Sequence, residues 1–172
     1  LMANASGTVK RVALELGGKN PNIVFADSWH ASRETVIDNA LIAVFLHSGQ
    51  VCSAGARLLV EEQIHDEVVD EIVRCAAAIR LGGPFDEQAE TGALISQAHL
   101  EKVTAYVDRA VAEGAVLRVG GARASEGALA EGWFYPPTVL DRCTVQMRCV
   151  QEESFGPVLT VDSAAGSVAV RT

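Results

Sequence analysis

The sequence predicts an α/β fold built on a sheet that is parallel at least in part. Two observations carry this expectation. Apolar, strand-like runs alternate along the chain with amphipathic helical stretches, the order in which strands and crossover helices build such sheets. The chain has 172 residues, 49% of them hydrophobic, which is enough for one domain with a real core and too few to expect two. A single domain over residues 1–172 is therefore expected, with no internal repeat or linker.

The elements follow in chain order. Residues 1–10 are small and polar with no cap or start signal, as in a segment cut in mid-structure. "RVALEL" (11–16) alternates and predicts a strand closed by Gly17-Gly18. "PNIVFAD" (21–27) predicts a short buried strand. Ser28 or Ser32 can cap a helix that Val36, Ala40, Ile42, Val44 and Phe45 carry to about His47. A glycine turn bearing Cys52 follows, then a strand in "ARLLVEE" (56–62). "HDEVVDEIVRCAAAIRL" (65–81) predicts a helix burying Val68, Val69, Ile72, Cys75, Ala76 and Ile79, with acidic residues where the dipole favours them. A polar loop (82–92) leads to a second amphipathic helix over 96–114, ended by Gly114. "AVLRVGG" (115–121) predicts a strand and 122–132 a flexible loop. "WFYPPTVL" (133–140) is expected to be extended and edge-like because of its prolines. "CVQEESFGPVLTV" (149–161) turns at Gly-Pro into a last strand. The tail, 162–172, is small and bland, and both chain ends are expected to be cuts.

Charge and composition exclude several roles. A net charge of −8 argues against nucleic acid, which needs a basic face, and against anionic membrane surfaces. No apolar run reaches the ~18 residues of a membrane helix, and no charged-then-apolar leader opens the chain. Cys52, Cys75, Cys143 and Cys149 are irregularly spaced, which favours reduced thiols and a cytoplasmic setting. Without CxxC spacing or a nearby histidine, no metal site is expected. A redox pair of Cys143 and Cys149 would instead predict a reversible disulfide.

Three stretches carry residues suited to chemistry. In "HSGQVCSAGAR" (47–57), Cys52 is surrounded by small residues rather than the large apolar neighbours of a core cysteine. Gly49 and Gly55 let backbone approach a ligand, and a backbone N–H at such a bend can face an oxyanion. Burial as a small hydrophobe is the competing expectation. In "LELGGKNPN" (14–22), Glu15 lies between Leu14 and Leu16. It either faces solvent or sits desolvated, where a raised pKa suits a general base. In "EESFGPV" (152–158), a carboxylate suits a sugar diol and an aromatic ring suits a flat heterocycle; an acidic turn over a core Phe is the plainer alternative.

Together, "LELGGKNPNIVFAD", "FLHSGQVCSAGAR" and "QEESFGPVLTV" resemble the glutamate, cysteine and third blocks of the aldehyde dehydrogenase superfamily, in order and spacing. The stretches between them, "GGPFDEQAETGALIS", "VTAYVDRAVAEGAVLRVGG" and "GWFYPPTVL", resemble it too, so that the likeness runs from residue 1 to about 161. "GQVCS" is most similar to the betaine-aldehyde-type branch. The resemblance implies a three-layer αβα catalytic domain with a largely parallel sheet. It implies oxidation of an aldehyde to a carboxylic acid with NAD or NADP. Cys52 matches the nucleophile, passing through a hemithioacetal and a thioester, with its backbone N–H as an oxyanion donor. Glu15 matches the base that activates water. Glu153 matches the carboxylate on the nicotinamide-side ribose, Phe155 the ring beside the nicotinamide, and Gly17 and Gly18 the glycines that leave space near the cofactor.

Departures accompany the resemblance. The family's nucleotide-binding domain, its second oxyanion donor and its oligomerisation strand have no counterpart in the sequence, and neither Asn4 nor Asn20 matches the missing asparagine. Leu46 and His47 replace commoner aromatic and Asn-like choices beside the cysteine. Cofactor binding by this chain alone is expected to be weak or absent. Two functions are therefore expected to compete: the catalytic domain of an aldehyde dehydrogenase, or a truncated, non-enzymatic remnant that self-associates as a homo-oligomer with at most weak esterase activity.

Overall fold

The computed structural model describes residues 1–162; the expectation for the tail falls on 163–172, outside the described residues. A short α1 (Met2–Ser6) precedes β1 (Pro21–Val24), α2 (Ala26–Ala31), α3 (Arg33–Phe45), β2 (Arg57–Val60) and α4 (His65–Ala78). Then come α5 (Gln97–Ala112), β3 (Val116–Val119), β4 (Thr138–Cys143), α6 (Arg148–Gln151) and β5 (Val158–Asp162). The five strands form one sheet in the order β1-β2-β5-β4-β3. The first three pairings are parallel and β3 joins antiparallel, so the expected α/β architecture holds.

Alternation along the strands divides the core into two. Leu58, Val60, Val139, Leu159 and Val161 pack with Ile37, Val44, Val68, Val69 and Ile72 of α3 and α4. Leu140 and Val158 pack on the other face with Leu100, Val103, Tyr106 and Val107 of α5. Helices on both faces of one sheet make three layers. β5 is central, and all five of its residues are buried.

Several elements differ from expectation. Residues 11–16 form no strand: Val12, Leu14 and Leu16 alternate but are exposed, and the segment pairs with no strand among the described residues. The strand expected to be buried, β1, is an edge strand with Ile23 exposed. Of the two starts expected for the helix toward His47, Ser32 is the one used: α3 begins after it and a short α2 precedes it, but the Ser32 hydroxyl meets Thr35 Oγ1 at 2.8 Å rather than capping the backbone. Ile42 faces out and Ile37 takes its place in the core. Cys75 is only partly buried, packed at the border of the core. β4 is no edge strand, since it lies between β5 and β3, with Pro136 and Pro137 just outside it. The second amphipathic helix follows the sequence closely: Ser96 caps it by accepting from the His99 N–H at 3.2 Å, and Gly114 follows its end at φ +108°.

Candidate active site

The turn carrying Cys52 is built from backbone that few residues tolerate. His47, Ser48 and Gly49 all have positive φ, at 51°, 57° and 69°, so the chain reverses sharply after α3. At Gly49 the requirement is also steric, because a Cβ there would lie 2.1 Å from the Gly156 carbonyl oxygen. The segment before α5 holds the turn in place. The buried Ser48 hydroxyl donates to the Gly92 carbonyl at 2.7 Å and meets Thr91 Oγ1 at 3.0 Å. Gln50 Oε1 accepts from the Ile95 N–H at 2.9 Å. The thiol of Cys52 is exposed. Its backbone N–H has no acceptor among the described residues.

The glycine pair lies against this turn. Asn20 Nδ2 donates to the Cys52 carbonyl at 3.2 Å, and a Cβ on Gly18 would sit 3.2 Å from that same oxygen. On its other side, the Gly18 N–H donates to Glu153 Oε1 at 3.1 Å. A Cβ on Gly17 would lie 2.1 Å from Glu153 Oε2. The two glycines therefore form a backbone cradle between the cysteine turn and a carboxylate that is distant in sequence.

The two carboxylates of the "EESFGPV" stretch have separate fates. Glu152 is paired with Arg109 at 2.9 Å and Arg148 at 2.6 Å, a structural arrangement. Glu153 makes no ion pair among the described residues and keeps Oε2 available. Phe155 is half-buried at φ 52°. Its carbonyl lies 2.6 Å from His99 Nε2, and the two rings meet edge-on at 6.1 Å. Cys52, Gly17, Gly18, Glu153 and Phe155 thus lie on loops that enter β1, β2 and β5 from their amino ends.

Glu15 is exposed and makes no hydrogen bond or ion pair among the described residues. Arg57, close to Cys52 in sequence, is committed to Asp162 at 2.5 and 3.0 Å. Sequence reasoning missed His99, Ser48, Gln50 and the role of Asn20, all polar residues whose partners lie on distant or irregular segments. The triple positive φ after α3 was signalled only by the Ser-Gly pair.

The sequence pattern of the aldehyde dehydrogenase family matches residues 1–167. The chain is 54% identical to betaine aldehyde dehydrogenase of Bacillus subtilis over 95% of its own length and 33% of that protein. It is 45% identical to 4-trimethylaminobutyraldehyde dehydrogenase B of Danio rerio, over 94% of this chain and 31% of the other. A crystal structure of Staphylococcus aureus betaine aldehyde dehydrogenase in complex with NAD+ superposes with a TM-score of 0.88 at 47% identity, over 94% of this chain and 31% of that one. The chain spans about a third of the length of these relatives.

Proposed function

The chain belongs to the aldehyde dehydrogenase family, and from that premise we propose that it carries the nucleophile and part of the nicotinamide site of an aldehyde-oxidising enzyme. The observation that supports this reading is the meeting of three stretches: Asn20 bonded to the Cys52 carbonyl, and Gly18 bonded to Glu153. Relatives are named for betaine aldehyde and 4-trimethylaminobutyraldehyde, so aldehydes bearing a trimethylammonium group are the proposed substrate class.

NAD+ is the proposed cofactor, and the residues present fit it. Glu153 Oε2 has acceptor capacity for a ribose hydroxyl, the bare backbone of Gly17 and Gly18 lets the Glu153 carboxylate and the Cys52 turn pack against it, and Phe155 offers a half-buried ring. When bound, the cofactor supplies the hydride acceptor. The chain's own residues do the rest. The Cys52 thiolate attacks the aldehyde carbon to give a hemithioacetal, and the unpartnered Cys52 N–H meets the developing oxyanion. After oxidation, the acyl group remains on Cys52 as a thioester. Glu15 takes a proton from the attacking water, releasing the carboxylic acid.

A second reading, a non-catalytic family member that self-associates, draws on the exposed Val12, Leu14, Leu16 and Ile23. Iodoacetamide labelling across a pH series, with each cysteine followed by mass spectrometry, separates the two. The catalytic reading expects Cys52 to label fastest, with an apparent pKa below the ~8.5 of a free thiol. Labelling of Cys52 no faster than the exposed part of Cys75, with an ordinary pKa, sinks it.

A further inference from the structure

A second pair of sulfurs lies outside the candidate site. Cys143 ends β4 and Cys149 sits in α6; both are free and buried, and their Sγ atoms are 3.9 Å apart. The backbone is irregular where it brings them together. The pairing of β4 with β5 shifts register between Leu140 and Cys143, and Arg142 takes a left-handed φ of 56°. Strict alternation would send Cys143 to the same side as Val139, toward α3 and α4. The bulge re-aims it into the α5–α6 core beside Cys149.

The surroundings are polar as well as apolar. The Tyr106 hydroxyl donates to the Cys149 carbonyl, and Lys19 Nζ donates to that hydroxyl at 3.1 Å. Hydrogen bonding from Cys143, with the Lys19 charge beside it, holds the Cys149 thiol below its usual range. The same pairing pushes Cys143 up. Of the two sulfurs, Cys149 is the one whose surroundings favour the thiolate, and Cys143 the one whose surroundings favour the thiol. No cluster of three His, Cys, Asp or Glu suited to a metal occurs among the described residues.

We propose that Cys143 and Cys149 form a thiol-modification site at which a peroxide, such as hydrogen peroxide, closes a disulfide between β4 and α6. The Cys149 thiolate attacks a peroxide oxygen; the O–O bond breaks, and the departing hydroxide takes a proton to leave as water. The Cys143 sulfur then attacks the sulfenic sulfur of Cys149. The S–S bond forms, the S–O bond breaks, and a second water carries off the Cys143 proton. Two thiols and one hydrogen peroxide give one disulfide and two waters. Closure brings the sulfurs to ~2.05 Å, and α6, only four residues long, is the element that moves. Because α6 runs directly into Glu153, closure bears on the contact with Gly18.

The test treats the folded chain with hydrogen peroxide, alkylates the remaining thiols in denaturant and digests with trypsin. Cleavage after Arg142 and Arg148 puts the two cysteines on different peptides, "CTVQMR" and the one beginning at Cys149, so only a disulfide joins them. The expected result is that joined pair, two hydrogens lighter, restored by dithiothreitol and formed at least tenfold faster in the folded chain than in urea. In Cys143→Ser the pair is absent, and Cys149 goes on to sulfinic acid. Recovery of both cysteines as alkylated thiols from the oxidised wild-type chain overturns the proposal. So does joining at equal rates in folded and denatured chain, which would reflect short sequence separation alone.

Discussion

Gly49 and Gly17 both lack room for a side chain, but the obstacles differ and so do the expected consequences. At Gly49 the obstacle is the Gly156 backbone, and φ is +69°. Backbone cannot swing aside, and a left-handed alanine costs about 1–2 kcal/mol by itself. Gly49→Ala is expected to lose about 2 kcal/mol or more of stability, read as a lower urea midpoint at unchanged slope. At Gly17 the obstacle is the end of the Glu153 side chain, which can rotate away. Gly17→Ala is expected to change stability by no more than about 0.5 kcal/mol while breaking the Gly18–Glu153 hydrogen bond, seen as faster exchange of the Gly18 amide. Equal destabilisation by the two substitutions would contradict this distinction. The residue-level chemistry was legible where it was local: small neighbours around Cys52 marked its turn. The Gly18–Glu153 bond joins residues 135 apart, and no local pattern encodes such a meeting.

Among the elements, capping separates two serines that look alike in sequence. Ser96 accepts from the His99 N–H, while Ser32 bonds another side chain. Ser96→Ala is expected to cost about 1 kcal/mol and Ser32→Ala distinctly less, compared by thermal unfolding. A buried charge pair joins α4 to β4. His65 Nε2 lies 3.2 Å from Asp141 Oδ1 and its Nδ1 3.0 Å from Asp66, with Arg118 and Arg142 also facing Asp141. The Asp141 carboxylate beside it raises the His65 pKa above its ordinary 6.5, against burial. Its stabilising contribution is therefore full below pH 6.5 and is lost as pH rises through the higher folded value. Asp141 has the opposite sign. Burial would raise it, but His65 and the neighbouring donors lower it below 3.8, so its contribution is lost only as pH falls through that lower value. Unfolding free energy is expected to decline on the alkaline side of pH 6.5, and His65→Gln to flatten that decline in urea titrations at several pH values. An unchanged slope in the variant would remove His65 as its source. Helices α4 and α5 were legible because their apolar faces are regular. Residues 11–16 misled because alternation signals a strand only where the segment pairs with a neighbour, and these residues stay exposed and unpaired among the described residues. β4 misled because Pro136 and Pro137 stop before the ladder begins, which leaves it free to lie between two strands.

At the scale of the whole molecule, the candidate site opens at the amino ends of the parallel strands, since the glycine pair, the Cys52 turn and the Glu153–Phe155 turn all precede the strands they enter. Open α/β sheets commonly bind ligands at the carboxyl ends, whereas the three motifs place the candidate residues at the opposite ends of the strands. The lateral edge of the sheet at β1 leaves apolar surface uncovered. Val12, Leu14 and Leu16 precede β1, Ile23 lies in it and Phe25 follows it, all exposed, and β1 itself is an edge strand. An unpaired edge flanked by apolar side chains favours pairing with another chain, opposed by the net charge of −8, whose repulsion weakens as salt rises. Sedimentation velocity is therefore expected to show association that grows with protein concentration and with salt. Replacing Leu16 and Ile23 together with glutamate places charge on the exposed face and is expected to return the chain to monomer at every salt concentration. If the wild-type chain stays monomeric as concentration and salt rise, the apolar side chains near β1 are scattered surface residues of the ordinary kind, and the self-associating reading of the chain falls with them.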